Sequence, residues 1–321
     1  MAQGYWVKAP RERATFSYFV RRAPFGGDYF VVAGMESRLE AIEQLSFSES
    51  DVAYLASLGH FRPEFLQWLR KFRFEGDVWA VAEGLPAFPG QPVLRVEGSL
   101  LEAELIGGLI LSHLNYQALV ATQAARIVDA ARGKPVVELG VRRAHGLAGS
   151  VYGSRAAYLA GVDLTSNVLA GKLFGVPVAG TMAHSWVMSF ASEADAFAAY
   201  ADVYPQHCTL LVDTFGAEQG VKAALPLLKA LQRRGARGLG IRTDSGEPAE
   251  IVPALRGLLD AHGLATVRIV LSGDLDEHKL GQIFDRDGAP LSSTTHHGPT
   301  APNIVARSVL SGLHHDYRWA A

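Results

Sequence analysis

The sequence predicts an α/β protein in which repeated βα units follow an N-terminal α+β region. From about residue 133 onward, short apolar runs alternate with helical stretches. Continuous apolar runs separated by helices are typical of a parallel sheet, whether closed as a barrel or doubly wound. Before residue 133, strand-like and helical segments lack this regular alternation. We therefore expect domains over residues 1–132 and 133–290, followed by a divergent tail over 291–321.

The composition is that of an ordinary globular protein. Of the 321 residues, 49% are hydrophobic and 19% are charged, and the net charge is -2. Such a charge favours neither nucleic acid nor a membrane surface, so we expect neither as a partner. We expect no bilayer-spanning stretch and no signal peptide, and therefore a cytoplasmic location. The single cysteine, Cys208, excludes an internal disulfide framework and is expected to be inert core.

The N-terminal region contains strand-like runs joined by turns, and helical runs with capping residues. Strands are predicted over 15–20, 29–33, 77–83 and 92–96, and helices over 38–45, 50–58 and 63–72. A long apolar helical region over 100–131 has few polar breaks, so we expect it to be central.

The repeated units of the second region supply the candidate site. Strands are predicted over 135–139, 161–164, 176–179, 209–213, 238–243 and 267–272, and helices over 149–159, 167–174, 195–204, 219–233 and 248–262. Each predicted strand is followed by polar residues. Because the carboxyl ends of parallel strands meet at one face, this pattern indicates an enzyme active site there.

The stretch 175–190, GVPVAGTMAHSWVMSF, is the centre of this pattern. A short buried strand ends at a polar turn, and His184 follows it. A histidine in this place can serve catalysis, or it can simply be hydrogen-bonded at a strand end. The role of Glu138 also has two interpretations. It can orient Arg142 or Arg143, or it can form an ion pair on the surface.

The chemistry of the other strand ends suits an anionic ligand. Arg142, Arg143 and Arg242 can bind phosphate or carboxylate. Acidic residues at these ends can bind Mg²⁺ or stabilise a developing positive charge, namely Asp213, Asp244 and Asp274. The sequence contains neither a P-loop nor a GxGxxG motif after a strand.

Several strings resemble the nicotinate phosphoribosyltransferase family over residues 1–288. They are FVRRAPFGGDYFVVAG, VELGVRRAHG, the run over 149–190, LLVDTFGAEQGV, GIRTDSGEP and VLSGDLDE. This resemblance implies an irregular α/β barrel of the type II phosphoribosyltransferase kind, with an N-terminal α+β domain. It also implies a homodimer with sites at the subunit interface.

The resemblance further implies an enzyme of NAD biosynthesis. The family joins nicotinate to 5-phosphoribosyl pyrophosphate, giving nicotinate mononucleotide and pyrophosphate. ATP is the co-substrate, and its hydrolysis is coupled through a phosphohistidine, which by motif is His184. Asp213 and Asp244 are the other expected catalytic residues.

The same motifs imply the binding residues. Arg142 and Ser166 are expected to bind nicotinate, because a serine hydroxyl can donate to the carboxylate where nicotinamide-using relatives carry an aspartate. The residues expected to bind 5-phosphoribosyl pyrophosphate are Arg242, Ser245, Gly246, Gly273 and Asp274. Mg²⁺ is expected on Asp244 and Asp274.

Two departures from the family leave a second interpretation open. A family tyrosine that stacks on the pyridine ring precedes the position of Met1, and a Gly-Val-Gly-Thr phosphate loop is replaced after Pro290. The tail carries His296-His297 and His314-His315, and we expect it to be polar and irregular rather than a metal site. The second interpretation is a catalytically impaired remnant or a ligand-binding subunit of the same fold. Ser166 and the histidine motif argue against quinolinate or nicotinamide as substrate.

Overall fold

The chain forms two compact units. The computed structural model describes residues 1–8 and 13–286, and the backbone of residues 304–309 and 314–319. One unit comprises Met1–Val128, Gly133–Val178 and Thr294–Ala321, and the other comprises Asp129–Arg132 and Ala179–Ser293. The predicted boundary between residues 132 and 133 stays a prediction.

The first unit begins with an α+β region that confirms the predicted order of strands and helices. Its helices are α1 (Ala2–Lys8), α2 (Glu36–Glu43), α3 (Glu49–Ser57), α4 (Pro63–Arg70) and α5 (Leu100–Ala130). Its strands are β1 (Arg13–Phe19), β2 (Phe30–Val31), β3 (Asp77–Ala80), β4 (Pro86–Ala87) and β5 (Pro92–Ser99). Strands β1, β5 and β3 form an antiparallel sheet in that order, and β2 pairs with β4.

Local sequence explains where these elements begin. Ser48 and Asp51 form a capping box, which satisfies free N–H groups at the start of α3. Pro63 occupies the first turn of α4, where its missing N–H costs nothing. Helix α1 was not predicted, and its Trp6 ring packs edge-on against Phe65 at a centroid distance of 5.8 Å.

Helix α5 corrects the expectation that nothing in the chain is long and apolar enough to cross a bilayer. Its 31 residues pass that test by length and composition alone. Its buried residues recur at helical spacing, and Ile106, Ile110 and Leu114 belong to the core that covers the antiparallel sheet. A core helix passes the same test, so the finding is weak evidence for a membrane.

The first unit also contains the start of the parallel region. Here β6 (Val137–Glu138) pairs in parallel with β7 (Leu164–Thr165), and helices α6 (Gly146–Leu159) and α7 (Val168–Phe174) follow the two strands. A 3₁₀ turn over Val141–Arg143 connects β6 to α6. The predicted strand over 176–179 is reduced to one parallel bridge between Thr165 and Val178. A single bridge is too short to form a β-ladder.

The second unit confirms the parallel sheet predicted from the βα alternation. Strands β8 (Thr209–Leu211), β9 (Gly240–Thr243) and β10 (Arg268–Leu271) pair in parallel in the order β10-β9-β8. The helices of this unit are α8 (His184–Met188), α9 (Glu193–Val203), α10 (Ala217–Arg233), α11 (Pro248–Ala261) and α12 (Glu277–Arg286).

Apolar side chains pack between the sheet and the helices of the second unit. Leu210 and Ile241 from the sheet and Leu228 from α10 are fully buried in one core cluster. Cys208 lies in the same cluster, as predicted. Continuous apolar strands are expected where helices cover a parallel sheet.

Near the C-terminus, β11 (Ile304–Val309) pairs antiparallel with β12 (His314–Trp319). The expectation of an irregular tail is therefore wrong for these two segments, because alternate backbone groups of each pair with the other. His314 and His315 begin β12. His296 and His297 lie outside the described residues.

Candidate functional site

His184 is the first residue of α8 and has hydrogen-bond partners at both ring nitrogens. The preceding Ala183 has an extended backbone, so the helix begins at the histidine. Nδ1 lies 3.1 Å from Thr214 Oγ1, and Nε2 lies 3.0 Å from Asp244 Oδ1. The side chain is 40% exposed. The imidazole is therefore oriented from two sides while remaining open to a reactant.

The aspartate that binds His184 is itself bound by an arginine. Arg242 Nη2 donates to Asp244 Oδ2 at 3.1 Å. The rest of the guanidinium is held by Ser272 Oγ at 2.8 Å from Nε and by Thr181 Oγ1 at 2.8 Å from Nη1. Because Arg242 is only 14% exposed, its charge acts on Asp244 with little solvent screening.

Asp213 is a second carboxylate in the same group, and it is buried. Its Oδ2 accepts from the main-chain N–H of Asp244 at 2.8 Å and from Ser245 Oγ at 2.5 Å. Burial alone raises the pKa of Asp213. Its hydrogen bonds and the nearby charge of His184 outweigh burial and leave the pKa lowered. The carboxylate is therefore ionised at neutral pH.

Glycines bring the ends of the strands close together. Gly273 has a φ of +99°, and a Cβ there would overlap the carbonyl oxygen of Asp244. Gly246, with a φ of +85°, would place a Cβ on the Ile251 side chain. Asp274 follows Gly273, also at positive φ, and its carbonyl accepts from Lys279 Nζ at 2.9 Å. Only glycine fits the two close approaches without displacement.

The predicted nicotinate residues lie in the first unit. Arg142 lies in the 3₁₀ turn after β6 and is exposed. Within residues 1–8 and 13–286, its guanidinium has no hydrogen-bond or ion-pair partner. Ser166 directly follows β7, and its N–H donates to the carbonyl of Glu138 at 2.9 Å.

The second unit also contains a donor set suited to a metal ion. One ligand atom each from His184, Asp213 and Asp244 lie within 4.8 Å of one another. Asp213 Oδ1 is buried and has no hydrogen-bond partner in the described structure. An unpartnered buried carboxylate oxygen is the kind of atom that a bound cation satisfies, and carboxylate oxygens suit Mg²⁺.

The structure thus joins five predicted residues of the second unit through one hydrogen-bonded group, which contains His184, Asp213, Arg242, Asp244 and Ser245. The prediction missed the roles of Thr214, Thr181 and Ser272 as hydroxyl partners. Thr214 directly follows Asp213 at a strand end, and this position was the available signal. The same signal was available for the other two, since Ser272 directly follows β10 and Thr181 follows the predicted strand over 176–179.

Chemically, this group offers an oriented nitrogen nucleophile, a cation for phosphate oxygens and two carboxylates. These are the components that phosphoryl transfer and cleavage at an anomeric carbon require.

Comparison with known proteins identifies the family. The family model for the nicotinate phosphoribosyltransferase N-terminal domain matches residues 1–115. The family model for the nicotinate phosphoribosyltransferase family matches residues 135–287.

Individual relatives agree with the family models. The chain is 43% identical over 285 residues to nicotinate phosphoribosyltransferase pncB2 of Mycobacterium tuberculosis, covering 88% of this chain and 61% of that protein. It is 39% identical over 282 residues to the Bacillus subtilis nicotinate phosphoribosyltransferase, covering 87% and 57%. The chain therefore spans about three-fifths of the length of these relatives.

Solved structures show the same fold. Human nicotinic acid phosphoribosyltransferase superposes with a TM-score of 0.80 at 34% identity, covering 88% of this chain and 68% of that one. Nicotinate-nucleotide pyrophosphorylase from Pyrococcus furiosus superposes with a TM-score of 0.72 at 25% identity, covering 88% and 66%. The fold is that of the type II phosphoribosyltransferases, and the chain belongs to the nicotinate phosphoribosyltransferase family.

Proposed function

We propose that this chain condenses nicotinate with 5-phosphoribosyl pyrophosphate to give nicotinate mononucleotide and pyrophosphate, with ATP hydrolysis coupled through His184. The observation that supports this proposal most directly is the imidazole of His184, held between Thr214 and Asp244 and open to solvent. The substrates in this proposal are those of the nicotinate phosphoribosyltransferase family.

The partners of the ring indicate which nitrogen would attack. An ionised carboxylate only accepts hydrogen bonds, so Asp244 holds the proton on Nε2. Nδ1 then carries the lone pair and accepts from Thr214. In this proposal Nδ1 attacks the γ-phosphorus of ATP, the bond to the β-phosphate oxygen breaks, and ADP leaves. Positive charge that develops on the ring is stabilised by Asp244.

In the condensation, the pyridine nitrogen forms a bond to the anomeric carbon as the bond to pyrophosphate breaks. The ring oxygen of the sugar shares positive charge in such a transition state, and the ionised Asp213 stabilises it. Arg242 and the main-chain N–H groups of Ser245, Gly246 and Gly273 provide donors to phosphate oxygens. Asp213 and Asp244 would hold Mg²⁺, which neutralises pyrophosphate charge when bound.

Asp274 is proposed as a further ligand for the phosphoribosyl pyrophosphate and its Mg²⁺. Arg142 is proposed to contact the pyridine ring of nicotinate, and Ser166 is proposed to donate a hydrogen bond to its carboxylate. We also propose a homodimer, as the family resemblance implies, and a cytoplasmic location. Light scattering during size-exclusion chromatography tests the oligomeric state, and a monomeric mass would contradict it.

The activity is tested by supplying labelled nicotinate, 5-phosphoribosyl pyrophosphate, Mg²⁺ and ATP to the purified chain. We expect nicotinate mononucleotide to form, and nicotinate-stimulated ATP turnover to disappear in His184→Ala. His60→Ala is a suitable control, because His60 is exposed and its main-chain carbonyl, which the substitution retains, accepts from Gln3 Nε2. Coupled turnover retained in His184→Ala would disprove the assigned role. Nicotinate binding without product would instead favour the ligand-binding interpretation.

A further inference from the structure

The carboxylate of Glu138 lies at the end of β6 and binds three separate segments. Oε1 accepts from the main-chain N–H of Gly140. Oε2 accepts from Ser154 Oγ at 2.8 Å and from Thr165 Oγ1 at 2.6 Å. The carbonyl of Glu138 also accepts from the N–H of Ser166 at 2.9 Å. One residue thus joins the strand pair, the turn after β6 and the middle of α6.

Two of these segments carry the residues proposed to bind nicotinate. Gly140 immediately precedes the 3₁₀ turn that contains Arg142, and Thr165 immediately precedes Ser166. Thr165 Oγ1 also accepts from the N–H of Asn167 at 3.0 Å. The hydrogen bonds therefore continue from Glu138 through Thr165 to the residues on both sides of Ser166.

The donors at this position suit a carboxylate. Ser154 and Thr165 are 2% and 1% exposed, so their hydroxyl groups cannot turn to water, although Ser154 Oγ also lies 2.9 Å from the carbonyl of Ser150. A carboxylate can accept from all three donors at once, and each such bond is strengthened by its charge. A glutamine has one acceptor oxygen, and its amide would direct an N–H at one of these donors.

We propose that Glu138 is a positioning residue for nicotinate, which holds the Arg142 turn and Ser166 in the places that recognise the substrate. This inference rests on the proposed function. It resolves the alternatives for Glu138 in favour of an orienting role, exerted through the backbone rather than through an ion pair with Arg142.

The test compares Glu138→Gln with Glu102→Gln. Glu102 is a matched control, because it accepts from the hydroxyl and N–H of its neighbour Ser99 at 2.8 and 3.3 Å, with no bond to the nicotinate segments. In Glu138→Gln we expect the KM for nicotinate to rise about tenfold, with the KM for 5-phosphoribosyl pyrophosphate changing less than about twofold. In Glu102→Gln both KM values should stay within about twofold.

A second variant keeps the inference testable if Glu138→Gln fails to fold. Thr165→Val keeps the side-chain volume but removes the hydroxyl link, and it should raise the KM for nicotinate selectively. Equal changes in both KM values, or a nicotinate KM no higher than in the Glu102→Gln control, would overturn the inference.

Hydrogen exchange separates this inference from the proposed activity. If the unmodified chain forms no nicotinate mononucleotide, the activity proposal fails, but exchange still reports positioning. We expect amides over 140–146 and 164–168 to exchange faster in Glu138→Gln and to be unchanged in Glu102→Gln. Unchanged protection of both segments in Glu138→Gln would refute the positioning role by itself.

Discussion

At the scale of single residues, hydrogen-bond partners determine what His184 can do. Asp244 accepts from one side of the ring and is itself held by Arg242. Thr214 occupies the other nitrogen with a hydroxyl that can rotate away. A buried histidine with two fixed partners would be structural, whereas this ring is partly exposed and one partner is easily displaced.

Cys208 shows the opposite behaviour, because its environment suppresses reactivity. The residue is fully buried, and burial raises the pKa of its thiol from 9.0 to about 11. The thiolate is the reactive form, so the native protein contains almost none of it at neutral pH.

We predict that Cys208 contributes a pH-dependent stability that Cys208→Ala lacks. An acid whose pKa is higher in the folded state stabilises the fold below the unfolded pKa, and the contribution is lost as pH rises from 9.0 to about 11. Urea unfolding across this window should show a steeper fall in unfolding free energy for the unmodified chain than for Cys208→Ala. Parallel curves for the two proteins would contradict the assigned cause.

At the scale of elements, the position of Asp213 depends on how α10 packs against the end of β8. Gly220 of α10 lies so close to the main chain of Val212 that an added Cβ would overlap its carbonyl oxygen. The residue after Val212 is Asp213. The helix therefore fixes the strand end from which the buried carboxylate projects.

We predict that Gly220→Ala displaces this strand end and lowers both stability and product formation. Gly257→Ala in α11 is the matched control, since no atom lies within 4 Å of an added Cβ there. That change should stabilise the protein by about 0.5–1 kcal/mol through helix propensity. Thermal unfolding and initial rates of both variants provide the comparison. A gain of stability in Gly220→Ala would show that the helix can shift without consequence.

At the scale of the whole molecule, a buried ion-pair group joins distant parts of the first unit. Arg155 of α6 donates to Glu83 Oε2 at 2.7 Å and to Glu36 Oε2 at 2.6 Å. Glu83 also accepts from the N–H of Met35 at 2.8 Å. The side chains of Arg155 and Glu83 are only 8% and 11% exposed, whereas that of Glu36 is 61% exposed. Arg155 and Glu83 therefore form the buried part of this group, and each compensates the charge of the other.

We predict that Arg155→Met lowers the unfolding free energy by about 3–5 kcal/mol, because it leaves a buried carboxylate without its cation. Arg70→Met provides a control, since Arg70 and Glu49 pair at 3.0 Å with side chains 42% and 78% exposed. Loss of such an exposed pair should cost less than about 1 kcal/mol. Urea unfolding measures both, and equal losses would mean that burial does not govern the strength of these pairs.

Much of this molecule was predictable from local pattern. Helices α9, α10 and α11 of the second unit lie within two residues of their predicted positions, since apolar spacing and capping residues act over a single turn. Helix α12 was not predicted. Strand lengths were predicted less well. The run over 135–139 contains only two paired residues, and the run over 176–179 contains only one bridge. A strand extends only as far as a neighbouring strand pairs with it.

The sequence by itself determined the family and the order of most elements and marked His184 as a candidate, because these are recorded in consecutive residues. Only the tertiary structure decided which groups meet. Thr214 and Asp244 lie 30 and 60 residues from His184, yet both contact its ring. Likewise, Thr165 lies 27 residues from the Glu138 carboxylate to which it donates. Contacts of this kind arise from the pairing of parallel strand ends, and no local pattern of residues specifies them.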